Sequence, residues 1–378
     1  MKRFLTFIGM SLIGMLSLSG AVNIAHAMEY PLPPTNSRLI GENAIYVVSD
    51  DGLSLEAVAA KYQIGLLAML EANPGVDPYL PKPGTKLIIP SQMLLPDTLR
   101  QGIIINLAEF RLYYFPKGKN YVVVYPIGIG QLERDTPTMT TSVSQLIKNP
   151  TWTPTANIRK DYAIRGIILP TVVPAGADNP MGDFALRLAA GRGEYLIHGT
   201  NANFGIGMRV SSGCIRLRPD DIEDLFYSVP RGTRVQVINE PIKYTVEPTG
   251  KRYVEIHQPL SDKQTDDPQT RPIQRTEGLI KFIDNRETDA VLVDQAVIRR
   301  SGIPVLVNKG IALSNQEEQE VSRPIETREE AIHSINPVKL PPLNQPSPMV
   351  ILPFFMEVKS RIQATRNKCC FGVYPPNA

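Results

Sequence analysis

The sequence predicts a mainly β protein, with a β-sandwich-like central domain between a small N-terminal β-α-α-β module and a small C-terminal α+β domain. Three observations support this architecture. The chain has 378 residues, more than one ordinary domain. Segments rich in β-branched residues, typical of half-buried strands, dominate from Gly102 onward. Before them, two short helical segments stand between two strand-like ones.

The composition limits the classes of function. Hydrophobic residues make up 43% of the chain, which is enough for a packed core, and the net charge is only +3. Because no basic stripe is present, nucleic acid is not expected as a partner. The main body also carries no acidic tract of the kind that forms a solvating tail.

The first residues have the pattern of a secretory signal. Lys2 and Arg3 precede the apolar run FLTFIGMSLIGMLSLSGAV, and the small-x-small triplet AHA ends at Ala27. We predict a signal peptide over 1–27 that is cleaved after Ala27. An uncleaved anchor is the alternative, but the run is barely long enough to span a bilayer and contains several Ser and Gly residues. No later stretch has spanning length, so no integral membrane span is expected in the mature chain.

Residues 44–91 form the predicted N-terminal module, after an irregular lead over 31–44. YVVS is a predicted strand, Ser54 can cap a helix from Leu55 to about Tyr62, a second helix covers 66–72, and TKLIIP closes the unit as a strand. This order, together with EANPGVDPYLPKPGTKLIIP, resembles a LysM module. The resemblance implies binding to the N-acetylglucosamine-containing glycan of a cell wall. A spacer of the same fold without a ligand is the alternative.

The central domain is expected over 99–239. Its predicted strands include GIIINL, FRLYYF, NYVVVYPIGIG, FALRL and EYLIHG, whereas TWTPT and PAGADNPMG are predicted loops. The segment PDDIEDLFYSV is the clearest helix. Pro219 suits its first turn, and Asp220 and Asp221 favour the helix N-terminus.

The remaining chain divides into two parts. Residues 240–309 form the smaller α+β domain, with the hairpin KYTVEPTGKRYVEIH and a helical stretch near Thr288–Arg300. Residues 310–378 are charged and then proline-rich, a composition that predicts a disordered tail.

The stretch HGTNANFGIGMRVSSGCIRL contains the pair that carries chemistry, His198 and Cys214. An imidazole beside a thiol can take its proton, after which the sulfur attacks a carbonyl, and the same histidine can protonate a leaving amine. His198 ends a predicted strand and Cys214 lies in a Ser/Gly loop, so the two can meet at a sheet rim. A buried, inert thiol is the alternative. Too few further ligands lie nearby for a zinc site.

The other two cysteines, Cys369 and Cys370, lie in the predicted tail. Three cysteines in an exported chain leave at least one thiol unpaired. We interpret the two tail cysteines as incidental to catalysis.

The neighbours of the pair suggest supporting groups. No acidic residue lies between Gly199 and Ile215, so a backbone carbonyl is expected to orient His198, and Gly199 is the nearest. The Ser/Gly loop over 211–214 allows backbone N–H groups to face a developing oxyanion.

Three arginines near the pair are candidates for charge recognition. On an extended segment Arg216 would share a face with Cys214, where it could support the site or hold a substrate carboxylate. Arg209 and Arg218 could also meet carboxylates, and a solvated surface position is the alternative for both.

The motif HGT followed by SSGCIRL resembles the catalytic motif of the L,D-transpeptidase (YkuD) family. The resemblance implies that Cys214 is the nucleophile, that His198 is the base and that the Gly199 carbonyl orients His198. The other motif positions, expected at the oxyanion or the substrate, are Gly213, Ser211, Ser212 and Arg216. Ser212 stands where the family usually has a second histidine, so any role of that histidine is absent here.

Over residues 28–308 the chain is similar to enterobacterial periplasmic enzymes of this family, which join LysM, catalytic and C-terminal domains. The resemblance implies a periplasmic enzyme that binds peptidoglycan glycan and stem peptides and needs no metal or organic cofactor. Its thiolate would attack the diaminopimelate carbonyl of a tetrapeptide stem, release D-Ala and pass the acyl group to an amine. The acceptor implied first is the C-terminal lysine of the major outer-membrane (Braun) lipoprotein. The alternatives are a second diaminopimelate amine, giving a 3→3 cross-link, water, giving carboxypeptidase activity, and a non-catalytic wall-binding scaffold.

Overall fold

A computed structural model of the chain describes residues 27–202 and 205–310. The predicted signal peptide up to residue 26, the predicted tail from residue 311, and Cys369 and Cys370 lie outside the described residues. Within them, the expected mainly β class is confirmed. In these same two ranges no helix is both long and apolar enough to cross a membrane.

The chain enters the fold through two strands in and beside the segment expected to be irregular. Strand β1 (Met28–Pro31) lies antiparallel to β8 (Tyr121–Pro126), with Met28 opposite Val124. Strand β2 (Leu39–Ile40) pairs with β5 (Met93–Leu94). Neither strand has a clear local signal in the sequence, because both are short and lie near prolines. Their stability comes from pairing with strands far along the chain.

The N-terminal module has the expected order β3 (Ala44–Val47), α1 (Leu55–Lys61), α2 (Leu66–Ala72) and β4 (Lys86–Ile89). Ser54 caps α1 as predicted, because its Oγ accepts a hydrogen bond from the Ala57 N–H at 3.2 Å. The buried side chains of this module belong to the same hydrophobic cluster as those of the central sheet. The module is therefore packed onto the central domain.

The central domain is built on a nine-stranded sheet with the order β1-β8-β7-β6-β15-β10-β11-β12-β14. The strands not yet placed are β6 (Gly102–Asn106), β7 (Arg111–Phe115), β10 (Met139–Lys148), β11 (Phe184–Leu188), β12 (Leu196–His198), β14 (Ile215–Arg216) and β15 (Arg234–Ile238). Strand β9 (Ile129–Gly130) pairs separately with β13 (Arg209–Ser211).

The sheet curls until its two ends approach each other. Gly128 lies two residues beyond β8, yet it exchanges two backbone hydrogen bonds with Arg216 on β14, each 2.8 Å long. Strands β8 and β14 are seven positions apart in the sheet order. This closure leaves β14 and the residue before it, Cys214, at a seam of the curled sheet.

Two helices flank the seam. Helix α4 (Pro219–Ser228) is the helix predicted after the motif. Helix α3 (Ala156–Ile164) follows the predicted loop TWTPT and was not expected. Thr155 caps it, with its hydroxyl accepting from the Ile158 N–H at 3.3 Å. Only Ile158 of α3 is buried, so the helix lacks the apolar stripe that marks most helices in a sequence.

The C-terminal domain is a three-stranded sheet with two helices. The predicted hairpin is β16 (Ile242–Val246) with β17 (Arg252–Ile256), and β18 (Val305–Leu306) extends it. The helical stretch expected near Thr288–Arg300 is α6 (Ala290–Arg299), whereas α5 (Glu277–Ile283) was not expected.

A buried charge cluster joins the three regions. We define it as Glu71, Glu109, Arg111, Lys243, Glu255 and His257, all less than 10% exposed. The Lys243 ammonium lies 2.9 Å from Glu109 and 3.0 Å from Glu255. The cluster thus ties the α2 helix, the β6–β7 connection of the central sheet and the C-terminal hairpin to one another.

The remaining members of the cluster complete its charge balance. Arg111 lies 3.1 Å from Glu109 and 3.0 Å from Glu255. His257 contacts Glu255 at 2.8 Å and Glu71 at 3.0 Å. Burial alone would lower the pKa of His257, but these two carboxylates raise it to about 9. The cluster therefore pairs three carboxylates with three basic side chains.

Candidate active site

His198 and Cys214 are brought to neighbouring strand ends. His198 closes β12, and Cys214 immediately precedes β14. The two strands are parallel, with Ile197 opposite Ile215 and His198 opposite Arg216. Continuing this register places Cys214 beside Leu196, two residues before His198, so the side chains of the pair face the same side of the sheet, although fifteen residues separate them in the chain.

The His198 ring is buried and fixed by backbone carbonyls. Its Nδ1 lies 2.6 Å from the Gly199 oxygen. With the Nδ1 proton donated to that oxygen, Nε2 carries the lone pair and can act as a proton acceptor. Burial, together with the nearby Arg216 charge, lowers the pKa of His198 to about 4. The imidazole is thus neutral at physiological pH.

Gly199 has a second, steric role beside the ring. A Cβ at this position would lie 2.8 Å from the Ile222 Cγ2 atom on α4. Helix α4 therefore packs directly against the backbone that holds His198.

The Cys214 thiol is half-buried and donates to the Glu194 carbonyl at 3.6 Å. Burial raises its pKa, although the Leu196 amide and the Arg216 charge oppose the shift. The thiol hydrogen bond goes to Glu194 and not to His198 within the described residues. The resting pair is therefore a neutral thiol beside a neutral imidazole, not a preformed ion pair.

This arrangement predicts how thiol reactivity depends on pH. We expect the rate of Cys214 alkylation by iodoacetamide to rise through pH 9, without a plateau between pH 6 and 8, because the raised pKa keeps the thiol protonated. Peptide mapping by mass spectrometry separates Cys214 from Cys369 and Cys370. A fast rate that is independent of pH between 5 and 8 would contradict the prediction, since it would indicate a thiolate–imidazolium pair.

Arg216 and Ser212 lie close to the pair. The Arg216 backbone is pinned to Gly128, and its Nε is buried without a hydrogen-bond partner among the described residues. Ser212 is exposed, and its Oγ lies 3.5 Å from Arg134, which also forms an ion pair with Asp161 on α3. The sequence analysis missed Arg134 and α3, because Arg134 lies outside the catalytic motif and α3 carries no apolar stripe.

The expectations for Arg209 and Arg218 were wrong, because both side chains are buried and bound internally. Arg209 donates to the Gly130 and Ser261 carbonyls at 3.2 and 2.7 Å. Arg218 donates to the Ile64 carbonyl at 2.7 Å. Neither guanidinium is solvated or open to a substrate carboxylate.

The N-terminal module holds the loop between His198 and Cys214. The Leu66 N–H donates to the Ile206 carbonyl at 3.1 Å. Gly65 and Gly207 approach so closely that a Cβ on Gly207 would lie 2.5 Å from the Leu66 nitrogen. Gly207 also has φ +81°, a conformation that favours glycine. The turn between α1 and α2 is therefore a direct support of the catalytic loop.

One group of side chains among the described residues has the geometry of metal ligands. Atoms of Glu109, Glu255 and His257 lie within 4.8 Å of one another. Because the Lys243 ammonium already contacts both glutamates, the site already contains a cation. These donors serve the charge cluster.

Models of known protein families match three consecutive segments of the chain. The LysM domain matches residues 45–90, the L,D-transpeptidase catalytic domain residues 100–237 and the L,D-transpeptidase C-terminal domain residues 241–307.

Several curated bacterial proteins are similar over most of their length. Probable L,D-transpeptidase YcfS of Escherichia coli K12 is 58% identical over 310 residues, which cover 82% of this chain and 95% of that protein. Probable L,D-transpeptidase YbiS of the same strain is 53% identical over 293 residues, covering 76% and 95%. Probable L,D-transpeptidase ErfK/SrfK of that strain is 53% identical over 288 residues, covering 75% and 92%.

Proposed function

This chain belongs to the L,D-transpeptidase family, and we propose that it transfers peptidoglycan stem peptides with Cys214 as nucleophile and His198 as general base. Membership makes the protein a cysteine-dependent L,D-transpeptidase that acts on peptidoglycan. The observation that supports the residue assignment is the parallel register of β12 with β14, in which Cys214 and His198 are diagonal neighbours on one face of the sheet.

The acylation step begins from the neutral pair. The Cys214 thiol turns away from the Glu194 carbonyl and gives its proton to His198 Nε2 while the sulfur attacks the diaminopimelate carbonyl of a tetrapeptide stem. The low pKa of His198 favours return of that proton to the leaving amine of D-Ala. The carbon–nitrogen bond breaks, and a thioester remains on Cys214.

The deacylation step reverses the proton path. An amine attacks the thioester, His198 takes a proton from it, and the sulfur leaves and recovers the proton as a thiol. The Gly199 carbonyl keeps the same His198 nitrogen available in both steps. During each attack, the amides of Gly213 and Cys214 stabilise the oxyanion, and Ser211, Ser212 and Arg216 support the site.

We propose the C-terminal lysine of the Braun lipoprotein as the amine, in the periplasm. The supports are the similarity over 28–308 to periplasmic enzymes of this kind and the signal pattern over 1–27. We assign 44–91, 99–239 and 240–309 as the LysM, catalytic and C-terminal domains. A LysM domain on the glycan would raise the effective concentration of stems at Cys214.

The acceptor can be tested directly with purified full-length protein. It is incubated with tetrapeptide muropeptides and a lysine-ended lipoprotein peptide, and the products are weighed by mass spectrometry. A conjugate that has lost one D-Ala supports anchoring. The control is the same peptide with an acetylated lysine side chain, which should give no conjugate.

Other products would identify the alternatives. A linked pair of stems alone would indicate 3→3 cross-linking, and a bare tripeptide alone would indicate hydrolysis. Wall binding without any product would indicate a scaffold and would overturn the assignment of Cys214.

A further inference from the structure

Thr136 lies beneath the nucleophile loop, in the connection between β9 and β10. It is buried, with 7% of its surface exposed. The connection is held in place by the buried Arg209, which binds the Gly130 carbonyl at 3.2 Å and pairs with Asp135. Because Asp135 directly precedes Thr136, these contacts fix where the Thr136 hydroxyl stands.

The direction of the Thr136 hydrogen bonds follows from its neighbours. The Gly130 N–H can only donate, and it lies 3.0 Å from Thr136 Oγ1. The single hydroxyl proton is therefore free to go to the Gly213 carbonyl, which is also 3.0 Å away. The Gly213 oxygen thus points toward Thr136.

The orientation of that carbonyl sets the orientation of the Cys214 amide. In a planar trans peptide the C=O and the following N–H point in opposite directions. With the Gly213 oxygen bound to Thr136, the Cys214 N–H is directed away from Thr136. Within 27–202 and 205–310, no hydrogen bond uses that N–H. The Cys214 carbonyl is itself held, because Ser211 Oγ donates to it at 2.5 Å.

We infer that Thr136 is a positioning residue that orients the Gly213–Cys214 peptide so that the Cys214 N–H meets the developing oxyanion. Thr136 touches neither the substrate nor the sulfur and acts through Gly213. The inference rests on the proposed role of Cys214 as nucleophile. It does not depend on which amine accepts the acyl group.

Two reactions of Cys214 distinguish orientation of the Cys214 N–H by Thr136 from a merely structural effect of Thr136 on the loop. Opening of a carbapenem ring by the sulfur forms an oxyanion, whereas alkylation by iodoacetamide does not. In the full-length Thr136→Val variant we expect acylation by meropenem, followed by intact mass, to slow by about 10- to 100-fold, because loss of an oxyanion donor costs about that much or more. Alkylation at Cys214 should stay within about twofold of wild type, since no oxyanion develops.

Two matched variants complete the experiment. Thr136→Ser keeps the hydroxyl and should acylate at close to the wild-type rate. Thr138→Val makes the same change at an exposed threonine of the same loop and should leave both reactions unchanged.

Three results would overturn the inference. They are acylation of Thr136→Val at the wild-type rate, equal slowing of both reactions, and a Thr136→Ser variant as slow as Thr136→Val. Failure of the proposed function has a different signature, because the wild-type protein itself would then not be acylated at Cys214.

Discussion

The Cys214→Ala variant is expected to release no D-Ala from tetrapeptide stems above the uncatalysed rate and to form no covalent adduct with meropenem. The reason is that Cys214 supplies the sulfur that forms the thioester, and no other group at the seam can replace it. D-Ala release and intact mass measure the two losses. Because the thiol is half-buried and its hydrogen bond to the Glu194 carbonyl is long, the melting temperature should change little.

The control for thiol removal is the double variant Cys369→Ala and Cys370→Ala, which should keep full activity. In the His198→Asn variant the rate of D-Ala release should fall by about 100- to 10,000-fold, the usual contribution of general acid–base catalysis. Product formation by Cys214→Ala at the wild-type rate would contradict the assignment of Cys214 as the nucleophile.

The Lys243→Met variant is expected to lose about 3 to 5 kcal/mol in the free energy of unfolding. Lys243 is 1% exposed, and its ammonium contacts Glu109, Glu255 and the Leu94 carbonyl. Methionine would leave the three carboxylates of the cluster with two basic partners, Arg111 and His257, one cation short in the interior. Removal of one partner from a buried charge group costs far more than loss of a surface pair.

The matched control for this experiment is Lys281→Met. Lys281 pairs with Glu277 at 2.7 Å on α5, but the two side chains are 74% and 83% exposed. We expect that change to cost less than about 0.5 kcal/mol. Urea unfolding of the full chain measures both variants, and a loss below about 1 kcal/mol in Lys243→Met would show that the cluster relaxes or admits water.

Helices of this fold could be predicted from the sequence where the residues that start them lie next to them in the chain. Helix α1 has its cap at Ser54, and α4 has Pro219 and two aspartates at its start. Helix α3 was missed because only one of its side chains is buried, so no periodic stripe marks it. Strand β1 was missed because its stability comes from pairing with β8, more than 90 residues later.

The same distinction separates the predicted and the missed parts of the active site. His198, Cys214 and Gly199 lie in one motif and could be named from it. Thr136 lies far from the motif in the chain, and no spacing links its hydroxyl to Gly213. Arg209 and Arg218 were misplaced because an arginine near a catalytic motif gives no sign of whether carbonyls or a substrate bind it.

The packing of the N-terminal module has a consequence for how the enzyme meets its polymer. The module shares a core with the catalytic sheet and holds the loop that contains Ile206. A sugar chain bound to the module would therefore stand at one set separation from the sulfur, unlike a chain on a loose tether. Only stems that branch from the polymer at a matching interval would reach Cys214 while the sugar stays bound. The distance between the module and the sulfur would therefore determine the spacing of linkages along the wall.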